Sequence, residues 1–360
     1  MSDTQLIIQS HRGPYTVAFG HAFDGLEAGL KENEHLIIDS RVAELYAEPL
    51  QSALSRPSTL RIQAAEENKS LEKIPEYVIH LVNHGIRRDH VLVAIGGGII
   101  QDITAFIAAT LLRGLRWRFY PTTLLAQADS CIGSKTSINV GGYKNQLGTF
   151  TPPDEVRIST ELLDTLDAVD LKSGVGEMLK VHIISGWEDT RAIAADYERI
   201  LENRSTMEKY IRRSLELKKA KIEIDEFDRA ERLVMNYGHS FGHALESATN
   251  YAIPHGIGVT MGADIANYVS CRLGLTTRSI FEELHILLSR NFSGFQRTHI
   301  PENPFFEALA RDKKNVGGDL ALILMKEPGH VFRGRYPNDE RFQGVCRQYL
   351  RTIGNGLIYD

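Results

Sequence analysis

The chain reads VLVAIGGGIIQD from residue 91 to residue 102. The apolar run at its start predicts a buried β-strand, and the three glycines predict a tight turn into a helix. Glycines at such a junction let the backbone approach a phosphate, while the helix N-terminus offers free N–H groups and a favourable dipole. An ordinary strand-to-helix turn also uses glycine, and the spacing differs from the G-x-G-x-x-G fingerprint of dinucleotide sites. The stretch therefore predicts an α/β unit and, taken alone, leaves the nucleotide open.

Short β-rich runs alternate with helical patterns in the first part of the chain, up to about Phe150. This alternation predicts an α/β dinucleotide-binding domain with a mainly parallel sheet over residues 1–155. Within it, Asp39 ends a strand and could accept hydrogen bonds from ribose hydroxyls. Pro152 and Pro153 then interrupt regular structure. Beyond them, long amphipathic segments predict an all-α metal- and substrate-binding domain over residues 156–360, with helices at 171–184, 207–224, 233–248 and 259–273.

Composition excludes several classes of partner. The chain has 360 residues and a net charge of -5, from 41 basic and 46 acidic residues, which argues against nucleic acid and anionic membrane as partners. The three cysteines, Cys131, Cys271 and Cys346, are far apart and odd in number, which predicts a reducing, cytoplasmic compartment and no disulfide framework. The N-terminus lacks the pattern of a secretory signal, and the most apolar stretch, residues 91–112, is too polar to span a bilayer.

Three histidines lie close together in the second half of the chain, in NYGHSFGH at residues 236–243 and PHG at residues 254–256. His239 and His243 are four residues apart and share one helix face, so they are a candidate pair of metal ligands. Imidazole is also the usual proton carrier near neutral pH. Hydrogen-bonded core histidines are the alternative. Three histidines in so short a span, two of them beside glycines, favour a metal site joined to an acid/base site.

Two further groups of polar residues suit an anionic substrate. DSCIGSKT at residues 129–136, with Lys144 and Asn145, combines ammonium and amide donors that bind phosphate or carboxylate, although its spacing is not that of a Walker loop. Glu177 and Lys180 are three residues apart and face the same way on a predicted helix. They are either a surface ion pair or a carboxylate ligand beside a substrate-binding ammonium.

Taken in order, the motifs of this chain resemble those of the 3-dehydroquinate synthases, a family of the sugar-phosphate cyclase superfamily. The resemblance runs from about Asp39 to Lys314. It rests on GGGxxxD at residues 96–102, PTTLLAQxDS at 121–130, KN at 144–145, GExxK at 176–180, RxxxNxxHxxxH at 232–243, HG at 255–256 and DKK at 312–314. The fold that the resemblance implies is an N-terminal α/β NAD-binding domain and a C-terminal helical domain, with the site in the cleft between them.

The resemblance implies two cofactors, NAD and a divalent metal, usually zinc, with cobalt as an alternative. The residues that would hold NAD are Asp39, Glu66, Lys69, Gly97, Gly98, Asp102, Thr122, Thr123, Lys144 and Thr165. The metal ligands implied are Glu177, His239 and His255, a set that replaces the pair His239 and His243. His243 would instead lie on the substrate side and assist proton movement.

The implied reaction is a redox-neutral cyclisation of 3-deoxy-arabino-heptulosonate 7-phosphate to 3-dehydroquinate with loss of phosphate, a step of the shikimate pathway. The catalytic residues that the resemblance implies are Asp129, Lys135, Lys180, Asn236 and His243. The substrate-binding residues it implies are Arg113, Lys144, Asn145, Lys218, Arg232 and Lys314. These enzymes are typically homodimers, and Arg113 would reach the phosphate of a neighbouring subunit.

Three positions depart from the family pattern. Ser134 stands where the family has the second glycine of Gly-Gly-Lys-Thr, which changes the backbone freedom before the lysine. Ile257 follows the HG pair where the family commonly has glutamate, so a carboxylate that tunes the metal is missing there. Ala65 replaces a glycine before Glu66, a change that keeps the acid.

Three rival functions stay open at this point. A cyclase for a sugar phosphate without a carboxylate, such as sedoheptulose 7-phosphate or glucose 6-phosphate, would form a cyclitol. Arg232 and Lys218 argue against it, because a substrate without a carboxylate would leave their charges unpaired at a cost of about 1–3 kcal/mol. A metal-dependent alcohol dehydrogenase would accumulate NADH, and a degenerate cyclase acting as a scaffold would not turn over.

Overall fold

The computed structural model describes residues 5–26, 29–141, 143–312, 315 and 317–355. They form two compact units. The first contains the chain up to Asp167 together with Lys218–Phe227, and the second contains Ala168–Leu217 and the chain from Asp228 onward. The predicted boundary between residues 155 and 156 falls within the strand Glu155–Ile158, and as a division into separately folding domains it stays a prediction.

The first unit is built on a seven-stranded sheet and a smaller strand pair. The strands in chain order are β1 (Gln5–Ile8), β2 (Tyr15–Phe19), β3 (Glu34–Asp39), β4 (Leu60–Ile62), β5 (Val91–Gly96), β6 (Arg116–Pro121), β7 (Ile138–Val140), β8 (Tyr143–Leu147) and β9 (Glu155–Ile158). The large sheet has the order β1-β2-β9-β6-β5-β3-β4, and β7 pairs with β8. β1 is antiparallel to β2, and the other neighbours of the large sheet pair in parallel. The helices are α1 (Ser40–Leu45), α2 (Gln51–Leu54), α3 (Ile74–Asn83) and α4 (Gly98–Thr110).

The middle of this sheet is buried on both faces, as parallel sheets usually are. All six residues of β5 are buried, and residues 36–38 of β3 are 0% exposed. From β3 the chain first adds β4 on one side and then returns to the other side of β3 as β5. The strand order therefore reverses beside β3, and open α/β sheets bind their ligands at the carboxyl ends of strands at such a point.

The second unit is mainly helical. Its helices are α5 (Ala168–Ser185), α6 (Trp187–Ala195), α7 (Tyr197–Glu202), α8 (Arg204–Ile222), α9 (His239–Ala248), α10 (His255–Arg272), α11 (Arg278–Asn291), α12 (Glu302–Ala310) and α13 (Glu340–Asn355), with α8 belonging to this unit up to Leu217. An antiparallel hairpin of β10 (Asp319–Glu327) and β11 (His330–Pro337) completes it. Helix α10 is the core of the unit, since residues 256–270 are all buried.

The predicted fold class, a mainly parallel α/β domain followed by a helical domain, is confirmed. The β10–β11 hairpin has no counterpart in the sequence-based prediction, so the second unit is mainly rather than entirely helical. A continuous helix over residues 233–248 is wrong, because Glu231–Asn236 forms a 3-10 helix and α9 begins only at His239. None of the helices in the described part of the chain has the length and apolar character needed to cross a bilayer.

The break before α9 has a steric cause. Gly238 adopts the left-handed conformation with φ 79°, which favours glycine. A Cβ atom at this position would lie 2.5 Å from the Val259 carbonyl oxygen of α10. The close approach of α10 therefore requires a glycine here, and its conformation ends the preceding 3-10 helix and sets the start of α9.

Candidate active site

Close contacts at glycines bring three helices of the second unit together. A Cβ atom added at Gly176 of α5 would lie 2.2 Å from the Gly256 carbonyl oxygen of α10, and one added at Gly256 would lie 1.7 Å from the Ser173 carbonyl oxygen. Between α9 and α10, a Cβ at Gly242 would lie 2.9 Å from the Gly258 carbonyl oxygen. No side chain fits at these separations. The glycines therefore allow the polar residues beside them, on three helices, to meet.

Glu177 of α5, His239 of α9 and His255 of α10 face one another. Glu177 Oε1 lies 3.5 Å from His239 Nε2 and 3.4 Å from His255 Nε2. His243 joins them, because one ring nitrogen from each of the three histidines lies within 4.8 Å of the others. A carboxylate oxygen and imidazole nitrogens are the donors that zinc and related divalent ions take in proteins. The residues present therefore fit a divalent metal ion.

A residue absent from the predicted site, Glu246 of α9, fixes the orientation of His255. His255 Nδ1 lies 2.8 Å from Glu246 Oε1, which leaves Nε2 directed toward Glu177. Burial disfavours a charged ring, but hydrogen bonds to Glu177 and Glu246 outweigh it and raise the pKa of His255 to about 10. A bound metal ion would take the place of that proton, because a ligating imidazole is neutral.

Glu246 also resolves the departure at Ile257. Ile257 is 0% exposed and belongs to the core, so the acid beside the metal ligand is not missing but comes from another helix. The sequence does carry a signal for it: Glu246 follows His239 by seven residues and His243 by three, which places all three on one face of α9.

Lys180 pairs with Glu177 inside the protein. Its Nζ lies 2.5 Å from Glu177 Oε2, and the two side chains are 4% and 2% exposed. The alternative of a surface ion pair is therefore wrong. Burial alone would raise the pKa of Glu177, but Lys180 and the two histidines near it hold that pKa well below its usual range. Glu177 is thus ionised and able to bind a cation.

The histidines of α9 differ in their surroundings. His239 is partly buried, and its Nδ1 lies 3.3 Å from the Tyr237 carbonyl oxygen, which leaves Nε2 free to act as a ligand. Burial, against the opposing charge of Glu177, lowers the pKa of His239 well below its usual value, so its ring is neutral. His243 is exposed. Whether Glu177 or His243 completes the ligand set, and whether His243 moves protons, stay predictions.

Two other predicted residues lie just before α9, and one cannot be placed. Arg232 is 4% exposed, and Asn236 donates a hydrogen bond from Nδ2 to the Leu233 carbonyl oxygen at 3.1 Å. Their contacts with substrate stay predictions. Lys314 lies outside the described residues.

The residues predicted to hold NAD gather at one edge of the sheet in the first unit. They follow the carboxyl ends of five parallel strands: Asp39 ends β3, Glu66 and Lys69 follow β4, Gly97, Gly98 and Asp102 follow β5, Thr122 and Thr123 follow β6, and Thr165 follows β9. In a parallel sheet these ends share one edge, which here includes the reversal of strand order beside β3. The topology alone therefore favours a nucleotide at these residues, while the role of each stays a prediction.

The turn after β5 suits a phosphate group. Helix α4 begins at Gly98, and its N-cap, Gly97, makes no side-chain hydrogen bond to the first turn. A Cβ at Gly97 would lie 3.0 Å from Thr123 Cγ2, so the backbone is closely packed there. The N–H groups of the first turn are not used within the helix and, with the helix dipole, attract an anion. These residues fit the pyrophosphate of NAD.

A buried ion pair lies beside this turn. Lys69 is 6% exposed, and its Nζ lies 3.1 Å from Asp102 Oδ2 and 3.0 Å from Asn145 Oδ1. Asp102 also accepts hydrogen bonds from the backbone N–H and the hydroxyl of Ser137, both at 2.9 Å. Burial raises the pKa of Asp102, against the effect of Lys69 and Ser137. Three predicted residues, Lys69, Asp102 and Asn145, therefore form one cluster, and Ser137 is an addition to it.

Two predicted substrate residues of the first unit also meet. Lys218 Nζ lies 3.1 Å from Asp129 Oδ1, although the two are far apart in sequence. Lys135 and Lys144 are exposed, and Arg113 is exposed with a left-handed φ of 68°. Their roles toward substrate, and the role of Arg113 in a neighbouring subunit, stay predictions.

Comparison with known proteins places this chain among enzymes. A sequence model described as 3-dehydroquinate synthase N-terminal matches residues 59–173, and one described as 3-dehydroquinate synthase C-terminal matches residues 174–315. The 3-dehydroquinate synthase of Streptococcus gordonii is 35% identical over 315 residues, covering 85% of this chain and 87% of that protein. The enzyme of the same name from Dictyoglomus turgidum is 36% identical over 299 residues, covering 82% and 83%.

Solved structures of sugar-phosphate cyclases share the fold. A 2-deoxy-scyllo-inosose synthase, solved with carbaglucose-6-phosphate, NAD+ and Co2+, superposes with a TM-score of 0.83 at 22% identity over 97% of this chain and 99% of that one. The 2-epi-5-epi-valiolone synthase of Streptomyces hygroscopicus subsp. jinggangensis, solved with NAD+ and Zn2+, gives a TM-score of 0.79 at 25% identity over 94% and 96%. Both similarities extend over almost the whole chain.

Proposed function

The chain belongs to the 3-dehydroquinate synthase family, and we propose that it is an NAD- and metal-dependent cyclase that converts 3-deoxy-arabino-heptulosonate 7-phosphate to 3-dehydroquinate with elimination of phosphate. The observation that carries this proposal is the meeting of Glu177, His239 and His255, from three helices, beside the buried ammonium of Lys180. The relatives that bear this name cover more than four fifths of the chain, which supports the choice of substrate.

Two bound groups are part of the proposal. Glu177, His239 and His255 would hold a divalent ion, zinc or cobalt, and the carboxyl edge of the sheet in the first unit would hold NAD. When bound, NAD supplies reversible hydride transfer, and the metal supplies a Lewis acid that acidifies a substrate hydroxyl. The solved cyclases of similar fold contain NAD+ with Co2+ or Zn2+, which supports both assignments.

The residues of the first unit would bind and orient NAD. Asp39, at the end of β3, accepts a backbone hydrogen bond from Arg41 at 3.0 Å and has capacity left for ribose hydroxyls. The N–H groups at the start of α4 would bind the pyrophosphate. Lys69 and Asp102 neutralise one another next to this turn, which keeps the site from carrying an unpaired buried charge.

The residues of the second unit would bind the metal and move protons. Lys180 holds Glu177 ionised, and Glu246 holds His255 with Nε2 toward the ligand position. His243, exposed beside the other two histidines, would carry a proton between substrate and solvent at a ring nitrogen. Arg232 would pair with the substrate carboxylate by two parallel hydrogen bonds, the geometry a guanidinium favours.

A second candidate function is a cyclase for a sugar phosphate without a carboxylate. The observation that favours it is the likeness to the valiolone synthase at 25% identity and a TM-score of 0.79. A metal-dependent alcohol dehydrogenase is a third, since it can share the two-domain plan. We further propose, on the family resemblance alone, that the enzyme is a homodimer of the cytoplasm, which light scattering of the purified protein would test.

A substrate panel separates the candidates. The purified protein is incubated with NAD, zinc or cobalt, and either 3-deoxy-arabino-heptulosonate 7-phosphate, sedoheptulose 7-phosphate or glucose 6-phosphate, and released phosphate is measured. We expect release from the acidic substrate. Release only from a neutral sugar phosphate would replace the proposal by the cyclitol reaction. Arg232→Ala should weaken the acidic substrate far more than NAD, and unchanged kinetics would remove Arg232 from the carboxylate role.

A further inference from the structure

The segment Lys218–Phe227, which returns from the helical half of the sequence to the first unit, is anchored there along its length. At its start, Lys218 pairs with Asp129. In its middle, Glu223 Oε1 accepts a hydrogen bond from the backbone N–H of Gln9 at 2.9 Å. At its end, the ring of Phe227 lies 5.2 Å from that of His11 and 5.0 Å from that of Phe150. A segment that carries a predicted substrate lysine is thus fixed to the first unit.

Glu226 makes the most hydrogen-bonded of these contacts. Its carboxylate accepts hydrogen bonds from the Ser10 hydroxyl at 2.5 Å and from the His11 backbone N–H at 2.7 Å, and His11 Nδ1 lies 3.0 Å from it. It also accepts a hydrogen bond from the hydroxyl of Ser134. The side chain is 10% exposed. Burial alone would raise the pKa of Glu226, but hydrogen bonds from Ser10, Ser134 and His11 lower it, so the group is a carboxylate acceptor.

Ser134 is the residue that departs from the glycine of the family pattern. Its φ is 63°, in the left-handed region that favours glycine, and it is 7% exposed. A serine here carries conformational strain unless its surroundings hold it. The hydrogen bond to Glu226 holds the side chain, and the Ser134 carbonyl oxygen accepts a hydrogen bond from the Thr151 N–H at 2.7 Å. The turn is therefore held from outside the loop.

Lys135 follows this turn directly. Its N–H donates to the Gly133 carbonyl oxygen at 2.8 Å, so the direction of the Lys135 side chain depends on the backbone of the two residues before it. A loss of the hydrogen bond between Glu226 and Ser134 would release the strain at residue 134 and let the backbone leave the left-handed region. Lys135 would then move, although none of its own hydrogen bonds was removed.

We propose that Glu226 is a positioning residue: by accepting the Ser134 hydroxyl it holds the left-handed turn before Lys135, and it couples the position of Lys135 to the segment that carries Lys218. The proposal rests on the proposed function in so far as Lys135 and Lys218 bind the sugar phosphate. Glycine at this position needs no such support, because it adopts a positive φ freely. Glu226 thereby compensates for the serine in this chain.

The test is a set of four variants: Glu226→Gln, Ser134→Gly, the double variant, and Glu223→Gln as a matched control on the same segment. Each is assayed for kcat/KM with the sugar phosphate and for KM with NAD, and amide hydrogen exchange is measured over residues 133–136. Glu226→Gln should lower kcat/KM about tenfold, the equivalent of one hydrogen bond to a charged group, and speed exchange at Lys135. Ser134→Gly and Glu223→Gln should stay within about threefold of the parent enzyme, the range of an exposed or compensated change.

The double variant decides the proposal. It should recover kcat/KM to within about threefold of the parent, because glycine restores the turn without Glu226. A double variant as impaired as Glu226→Gln would overturn the positioning role, as would unchanged exchange over residues 133–136 in Glu226→Gln. If Glu226→Gln does not fold, Ser134→Ala replaces it, since it removes the same hydrogen bond and should show the same loss. Failure of the parent enzyme on every sugar phosphate would refute the proposed function alone, while hydrogen exchange would still test the turn.

Discussion

Replacing Gly256 by alanine places a methyl group where the Ser173 carbonyl oxygen lies. The added Cβ would be 1.7 Å from that oxygen, whereas well-packed atoms of this kind need about 3.0 Å or more. Helices α5 and α10 would have to separate locally by roughly 1.3 Å. The shift would also stretch the hydrogen bond from the Gly256 N–H to the Ser173 hydroxyl, now 2.9 Å.

The separation would act directly on the metal site, because His255 adjoins Gly256 on α10 and Glu177 lies on α5. We expect the variant to lose about 1–3 kcal/mol of unfolding free energy, the usual cost of overpacking. A misplacement of about 1 Å between ligands should lower turnover about a hundredfold. Urea unfolding, zinc titration by calorimetry and the visible spectrum of the cobalt-loaded protein measure these effects separately.

Gly344→Ala is the control. It lies in α13, where an added Cβ meets nothing within 4 Å, so it should leave metal affinity unchanged and stabilise the helix by about 0.5–1 kcal/mol. The reasoning is refuted if Gly256→Ala binds zinc as tightly as the parent protein and unfolds at the same urea concentration. In that case the close contact of α5 and α10 does not set the distance between Glu177 and His255.

Three further predictions address other parts of the chain. Glu246→Gln should weaken zinc binding about 10- to 100-fold, because it alters the acceptor that orients His255, and equal zinc affinity in calorimetry would contradict this. Burial opposes a charged His285, but its 2.7 Å contact with Asp264 outweighs it and raises the pKa of His285. The contribution of this pair to unfolding free energy should be complete below the unfolded pKa of about 6.5 and be lost as pH rises through the folded pKa, so that urea unfolding of His285→Gln and the parent protein should differ more at pH 6 than at pH 9. An equal difference at both pH values would refute the pairing. Gly97→Val should weaken NAD binding at least about tenfold, since its side chain would crowd the turn before α4, while zinc affinity stays unchanged, and fluorescence titration with NADH would show an unaffected dissociation constant if the turn does not hold the pyrophosphate.

The sheet and the NAD edge follow from local sequence patterns. Apolar runs such as residues 91–95 and the glycines after them specify a strand, a turn and a helix within a few residues, so periodicity is enough to predict them. The carboxyl-edge position of Asp39 and Gly97 then follows from parallel topology. The helix break at Gly238 does not, because it depends on the approach of α10, which no local pattern reports.

Long-range hydrogen bonds account for the rest of what sequence reasoning did not identify. Glu246 had a local signal, its helical phase with His239, but its partner His255 lies on another helix. Glu226 and Ser134 are separated by 92 positions, and Ser134 looked like a loss of freedom when it is a residue with its own support. Charged side chains that act through distant partners are invisible to spacing, since spacing reports only neighbours on one element.

The central claim is that this chain is a redox-neutral cyclase, and the most direct measurement is the yield of phosphate per molecule of NAD. The purified protein, loaded with zinc or cobalt, is given excess 3-deoxy-arabino-heptulosonate 7-phosphate and much less NAD than substrate, while phosphate and NADH are followed together. We predict many phosphates released per NAD with no net NADH, because the cofactor is regenerated in each turnover. NADH that accumulates in step with product, or phosphate release that stops when NAD is consumed, would contradict the claim.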